Sequence, residues 1–245
     1  MTTIAVLADP PRPDTVLPDV VATSPLSGEE AASLYTALLK DTVLAVERSG
    51  GELLVNYRSA EAFGPDVDPE ARLRSVLAGV VDPETVRFEV QVGETFAGRV
   101  GNTATHLLET EGVGSVGIAR PEAALLARTD IDSAAMKLRS SPVVLGPAPG
   151  GRVTYAAFAE PIDYADSYAP PALGTLTDRA LEAGVDVEFL GTKPYLGTAE
   201  DLAEIVFEVR TRRRADALVP PHLAAWVAEC DLTVTAEDGG VSLDR

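Results

Sequence analysis

The side chains of this chain that could do chemistry sit at the ends of short apolar runs, and most of them are arginines. Ser115-Val116-Gly117-Ile118-Ala119 is such a run, and it passes straight into Arg120-Pro121. In an open α/β sheet, ligands bind at the carboxyl ends of the strands. A residue at that corner is therefore usually chemical. Here the corner where a metal-binding acid is expected holds the methyl group of Ala119. Arg120 beside it, and Arg152 after Pro149-Gly150-Gly151, could instead hold an anion, because a guanidinium grips phosphate bidentately without a metal. Arg12 is the one cation close in sequence to the end of the first run, which closes on Ala8-Asp9. Asp9, and Asp163 in an aromatic loop, are the candidate general bases. That role requires hydrogen-bond reach to an acceptor.

A frame must bring these residues together, and the hydrophobic pattern supplies one. Strands are predicted over 3–8, 52–57, 86–92, 115–119, 142–146, 153–158 and 185–190. Between them the spacing predicts helices. One opens at the capping box Ser27-Gly28-Glu29-Glu30 and stops at Gly50-Gly51. A second starts with Pro69 in its first position and runs to about 80, and a third covers 95–111. Two short ones follow over 121–128 and 131–140, and others over 173–183, 198–214 and 220–230. The proline-rich stretch 10–25 lacks periodicity and reads as a long loop. Residues 232–243 read as a terminal hairpin turning at Asp238-Gly239-Gly240. Strands separated by helices imply a three-layer α/β fold around a mostly parallel mixed sheet, covered on both faces. The economical division is one domain over 1–215, with 216–245 as a helix-and-hairpin appendage to it.

Composition narrows the partners. The chain has 245 residues, 46% of them hydrophobic, enough for a full core. No window is long and apolar enough to span a membrane. The start, Met1-Thr2-Thr3-Ile4, has no basic segment, so no signal peptide is expected and the cytoplasm is the expected compartment. With 38 acidic against 20 basic residues, the net charge of −18 repels naked nucleic acid and anionic lipid. An acidic, lysine-poor surface suits a salt-rich cytoplasm, where a Debye length of roughly 3 Å at molar salt screens the self-repulsion. Cys230 is the only cysteine, which excludes an internal disulfide and a cysteine zinc site.

Other motifs read as structure. Gly112-Val113-Gly114-Ser115-Val116-Gly117 has the letters of a dinucleotide fingerprint, but it follows a helix and opens a strand, the reverse of what that fingerprint needs. His106 and His222 lie far apart on helix faces. Arg212-Arg213-Arg214 sits where cations complement a helix C-terminus. Trp226 is placed to anchor the last helix on the body.

The order of elements and several strings resemble a family of glycosyltransferase-A-fold proteins. These are small bacterial and archaeal proteins grouped as domain of unknown function 2064 or as glycosyltransferases. They are cousins of phospholactate guanylyltransferase and of other transferases that use nucleoside triphosphates or nucleotide sugars. The likeness runs from Thr3 to about Leu202. It rests on Gly28-Glu29-Glu30-Ala31-Ala32-Ser33-Leu34-Tyr35, Arg99 with Asn102, Val143-Val144-Leu145-Gly146-Pro147, and Thr198-Ala199-Glu200-Asp201-Leu202. The resemblance implies the nucleotide-diphospho-sugar transferase fold and a nucleotide site near Ala8, Asp9, Arg12, Arg99, Arg120 and Arg152. It also shows what this chain has lost. A Lys-Thr-Arg loop after the first strand becomes Pro13-Asp14-Thr15-Val16-Leu17-Pro18. A Gly-Ser-Asp becomes Gly117-Ile118-Ala119, an Asp-Gly-Gly-Tyr becomes Pro149-Gly150-Gly151-Arg152, and an Asp-x-Asp-Thr-Pro becomes Leu196-Gly197-Thr198-Ala199.

Divalent ions that bridge phosphates need carboxylate oxygens, and three such acids are gone together. The expectation is therefore a divergent, halophilic relative with a degenerate metal and nucleotide site, with no metal ligands and no cofactor. It would bind a nucleotide, a nucleotide sugar or a simpler anion, alone, with a protein partner or as a homo-oligomer. The alternative is an active nucleotidyl- or glycosyltransferase in which arginines replace the acids, with Mg²⁺ or Mn²⁺ retained only in that case. A third reading makes the region of Tyr155, Tyr164 and Tyr168 a protein-binding surface.

Overall fold

The computed structural model describes residues 2–13, 15–237 and 240–245. The strands are β1 (Thr2–Ala8), β2 (Glu52–Tyr57), β3 (Arg87–Val90), β4 (Ser115–Ala119), β5 (Val143–Ala148), β6 (Arg152–Phe158) and β7 (Val187–Phe189). They form one sheet in the order β3-β2-β1-β4-β6-β5-β7. All neighbours in it are parallel except β6, which runs antiparallel between β4 and β5. This is the expected three-layer α/β architecture with a mostly parallel mixed sheet.

Alternation along the strands sorts side chains between two apolar layers. Ile4, Val6, Ala8, Val55, Ala119, Tyr155 and Ala157 face one side. There they pack against α1 (Pro18–Thr23), α2 (Gly28–Glu47), α3 (Pro69–Leu77), α5 (Arg128–Lys137) and α7 (Ala199–Arg214). Ala5, Leu7, Leu54, Ile118, Ala156 and Phe158 face the other side, under α4 (Phe96–Thr105) and α6 (Ala172–Glu182). The capping box of α2 forms as its letters predict: the Ser27 backbone N–H donates to Glu30 Oε2 at 2.8 Å, and the Glu30 N–H donates to Ser27 Oγ at 3.3 Å.

Two local expectations fail. The stretch 10–25 contains α1, a turn and a half started by Pro18 and too short to show a period, with Val20 its one fully covered side chain. Residues 121–127 are not a helix. Pro121 is followed by two consecutive turns, closed by Ala123 N–H to Arg120 O and Leu126 N–H to Ala123 O, and the helix begins at Arg128. Helix α4 ends in a wider π-helical turn, His106–Thr110, before Gly112 at φ +68° reverses the chain into β4. The glycine-rich string is therefore a turn followed by the first residues of β4.

The C-terminal segment is built onto the same core. Helix α8 (Pro221–Glu229) sends Leu223, Ala224 and Val227 into the layer that α2 and α7 share, with Trp226 half-buried against it. Pro220 offers α8 no side-chain cap. Asp41 of α2 takes that place, its carboxylate accepting the N–H groups of His222 at 3.0 Å and Leu223 at 2.7 Å. Strands β8 (Thr233–Glu237) and β9 (Gly240–Asp244) pair antiparallel as the predicted hairpin. Asp238 and Gly239 of its predicted turn lie outside the described residues.

Candidate functional site

The carboxyl edge of the sheet gathers five of the arginines. Arg58 follows β2, Arg120 follows β4 and Arg152 opens β6. Arg99 lies in the first turns of α4, and Arg12 lies in the loop after β1. Arg99, Arg120 and Arg152 converge on one open cavity of about 340 Å³, walled also by Phe96, Tyr168 and Tyr195.

The structure moves the chemical corner by one residue. Ala119 is the last residue of β4 and has no exposed surface, with its methyl inside the α2 and α7 layer. Strand alternation fixes this, because Ile118 takes the opposite face and the residue that leaves the sheet is Arg120. Position 119 therefore does not face the cavity, and Arg120 does. Its guanidinium lies over Phe96, 4.4 Å from the ring centroid, and 5.6 Å from that of Tyr195. Its Nη2 donates to Glu122 Oε1 at 2.8 Å. Burial works against the Arg120 charge, but Glu122 and the phenols of Tyr195 and Tyr35 outweigh it and raise the pKa. This arginine is pre-positioned and permanently charged.

Arg99 differs. Its Nη1 donates to the Glu94 carbonyl at 3.0 Å, while its Nε is buried without a hydrogen-bond partner. Burial lowers its pKa most, the like charges of Arg58 and Arg120 lower it too, and the Asp9 carboxylate works the other way. Arg152 is already paired: Nη1 and Nη2 fork onto Asp201 at 2.5 and 2.6 Å, and Nε donates to Pro149 O at 2.9 Å. Burial would raise the Asp201 pKa, but the Arg152 pair together with the Gly197 and Thr198 N–H groups brings it below the usual range. Arg152 is thus a fixed wall of the cavity and not a free phosphate clamp, because its fork is already occupied.

The two candidate bases do not line the cavity. Both oxygens of Asp9 are taken by Arg58, with Nε–Oδ1 at 2.7 Å and Nη2–Oδ2 at 2.5 Å, and its backbone N–H donates to the Tyr35 hydroxyl at 3.0 Å. Asp163 is exposed and lies 3.4 Å from Arg179 of α6. Ala8 is buried, so its side chain touches only core. Arg12 Nη1 donates to the Phe63 carbonyl at 3.3 Å, and the Arg58 guanidinium stacks 4.9 Å from the Phe63 ring. Arg12 is therefore not the only cation near the end of β1, since Arg58 reaches it from the next strand. Among the described residues, no three His, Cys, Asp or Glu side chains come together as a metal site.

The tyrosine surface does not exist as expected. Tyr155 and Tyr164 are buried, and the Tyr168 and Phe96 rings meet T-shaped, 4.8 Å between centroids. Sequence reading also missed Arg58, Phe96, Tyr195 and Asp201. The first was findable, because it follows a predicted strand just as Arg120 does. The others sit in a helix cap and in a loop, where no spacing marks a partner.

No family model matches the chain, and no curated protein matches it. Solved structures do. A protein of Desulfovibrio desulfuricans G20 described as a candidate nucleotide-diphospho-sugar transferase matches with a TM-score of 0.74 at 16% identity, over 93% of this chain and 94% of that one. The 4-diphosphocytidyl-2C-methyl-D-erythritol synthase of Anaerococcus prevotii matches at TM-score 0.51 and 12% identity, over 86% and 96%. A cytidylyltransferase of Leptospira borgpetersenii matches at 0.50 and 10%, over 93% and 92%. The fold is that of the nucleotide-diphospho-sugar transferases. No helix among the described residues is long and apolar enough to cross a membrane.

Proposed function

We propose that this protein binds a phosphate-bearing ligand, of the nucleotide or nucleotide-sugar class or a simpler anion, without a divalent metal and without transferring it. It is a degenerate glycosyltransferase-A-like protein, related to domain of unknown function 2064 and working in a salt-rich cytoplasm. The observation that carries this reading is the cavity at the carboxyl edge of the sheet, where Arg99 and Arg120 converge and, among the described residues, no carboxylate is part of the wall. Two features support binding over catalysis. Asp9, at the end of β1, has both oxygens held by Arg58, so it is poorly placed to take a proton, and the carboxylates that touch the cavity's arginines, Glu122 and Asp201, are paired with Arg120 and Arg152. Position 119, the last of β4, faces the core and brings no acid to the cavity. The fold supplies the strand-end crevice in which such ligands are held, and the arginines supply the counter-charge that a metal would otherwise provide.

The test is calorimetric titration of CTP and UDP-glucose in high salt, once with EDTA and once with Mn²⁺. Equal binding in both, with no product formed from a sugar or alcohol acceptor, is the expected result. Binding that appears only with Mn²⁺, or turnover of the nucleotide, would overturn the reading in favour of an active transferase.

A further inference from the structure

Helix α7 divides its charge along its length. Glu200, Asp201, Glu204 and Glu208 stand in its first ten residues, and Arg210, Arg212, Arg213 and Arg214 crowd its last five. The helix dipole accounts for the ends, since acids suit a first turn and cations a last one. It does not account for Glu204, Arg210 or the exposed aromatic between them, because its influence falls off within one turn. Leu202, Ala203, Ile205, Val206 and Val209 are buried. The opposite stripe, Glu200, Glu204, Phe207, Thr211 and Arg214, is exposed, and its steps of four and three residues mark one helix face. Phe207 at its centre is 47% exposed, apolar surface whose burial would stabilise.

We infer that this face is an interface between two copies of the chain, related by a two-fold axis that passes Phe207. Such a contact must be self-complementary, residue i meeting j of the other copy while j meets i. Turning one copy about an axis through Phe207 and perpendicular to α7 sets Phe207 on its counterpart. It sets Glu204 opposite the partner's Arg210 and Glu200 opposite the partner's Arg214. Glu204 and Arg210 each lie three residues from Phe207, about 4.5 Å along the helix, and Glu200 and Arg214 each lie seven, about 10 Å. Each acid therefore falls at the level of a cation.

The ground on either side of Phe207 fits the same operation. Beside the basic half lies an open groove of about 750 Å³, bordered by Arg210, Arg213, Arg214, Val227 and Val234. The recorded hydrogen bonds of its three arginines go to carbonyls, a thiol and a hydroxyl, with no carboxylate among the described residues. Beside the acidic half lies a recess of about 580 Å³ that includes Glu200, Glu204, Glu208, Asp201 and Val241. Glu208 is paired with Arg212 and Asp201 with Arg152, which leaves Glu200 and Glu204 as its unpaired acids among the described residues. Val234 and Val241 belong to β8 and β9, so the hairpin borders both hollows. Leu218, 93% exposed, follows the basic end in the chain, and the two-fold turns that end toward the partner's acidic end. Two copies of net charge −18 repel at long range. A contact that sets scarce cations on acids is the kind that overcomes this, and α7 carries both on one face.

The experiment is sedimentation velocity on the full chain over a range of concentrations. It uses the lowest KCl that keeps the wild-type thermal midpoint, where the pairs are least screened. The wild type is expected to form a dimer, and Phe207→Asp to stay a monomer. Glu200→Arg and Arg214→Glu each set like charges together twice across the two-fold, and each should weaken the dimer at least tenfold. The double variant Glu200→Arg with Arg214→Glu rebuilds both pairs with reversed sign and should recover most of that loss. All three positions are exposed, and unchanged thermal midpoints separate a lost contact from a lost fold.

A wild type that stays monomeric at every concentration would overturn the inference. So would assembly beyond a dimer, or a dimer that survives Phe207→Asp and so lies on another face. A double variant that dimerises no better than its single parents would remove the pairing of Glu200 with Arg214, and the two-fold with it.

Discussion

Restoring the missing acid tests whether position 119 is a corner or core. Ala119 has no exposed surface and lies in the layer between the sheet and α2 and α7. Ala119→Asp therefore puts a carboxyl where water does not reach. A fully buried carboxyl has its pKa raised by about 3–5, so at pH 7 the group folds largely protonated. The cost is then the work of protonation from the ordinary value of about 3.9 up to pH 7, about 4 kcal/mol. A neutral but unpartnered polar group adds about 1–3 kcal/mol. The sign follows from linkage. The folded state binds the proton more tightly, so the penalty grows as pH rises above the unfolded pKa and nearly vanishes below it. The assay is urea denaturation in high salt, followed by Trp226 fluorescence, at pH 7 and pH 4. The loss relative to wild type should be about 5–7 kcal/mol at pH 7, close to the whole stability of a typical domain, and about 1–3 kcal/mol at pH 4. A loss under about 1 kcal/mol at pH 7, accompanied by Mn²⁺ binding, would refute the burial argument and return Ala119 to the site.

Three further perturbations read other parts of the fold. Asp41→Ala removes the acceptor for two N–H groups at the start of α8 and should cost about 2–4 kcal/mol in denaturant. Burial raises the Asp41 pKa. Wild-type stability should therefore fall as pH climbs from the ordinary carboxylate range to the folded value, and Asp41→Asn should lack that segment of the profile. Tyr155→Phe deletes a buried hydroxyl that has no partner, so it should stabilise by about 1 kcal/mol or more in the same assay. Because the net charge is −18, the thermal midpoint should rise between about 0.1 and 1 M KCl, where the Debye length shrinks from roughly 10 to 3 Å. A flat or falling profile would mean that the acidic surface is not a source of strain.

Much of the frame was legible because hydrophobic period and capping chemistry are local. The run 115–119 and the cap Ser27–Glu30 each carry their own signal within a few residues, and β4 and α2 form where those signals fall. The short helix α1 was not legible, since six residues cannot display a period of 3.6. The apolar stretch 121–127 misled for a different reason. Its buried side chains satisfy the core while its backbone closes separate turns, and burial alone does not select helix. At the site, residue type revealed which end of the strands held cations, but not which cations were already occupied. Arg152 and Arg120 look alike in sequence. Only the fold brings Asp201, 49 positions away, onto Arg152, and leaves Arg99 with a buried Nε and no partner.

That difference is what favours, in the proposed reading, holding an anion over transferring it. A transferase site must neutralise charge that appears on a leaving group and must take a proton from an acceptor. Arg120 is clamped by Phe96, Tyr195 and Glu122, and on the proposed reading it is complementary to charge already present on a phosphate ligand. Interactions equally strong in the ground state and the transition state lower the dissociation constant without raising the rate. Asp9 is held by Arg58, and Asp163 is exposed beside Arg179 and is not part of the cavity wall. The chain has only 20 basic residues against 38 acidic ones, yet five arginines stand at this one edge of the sheet. Arg58, Arg120 and Arg152 are paired there with Asp9, Glu122 and Asp201, and Arg99 keeps a buried Nε with no partner among the described residues. On the proposed reading, this cleft retains a small anion that the remainder of the acidic surface repels.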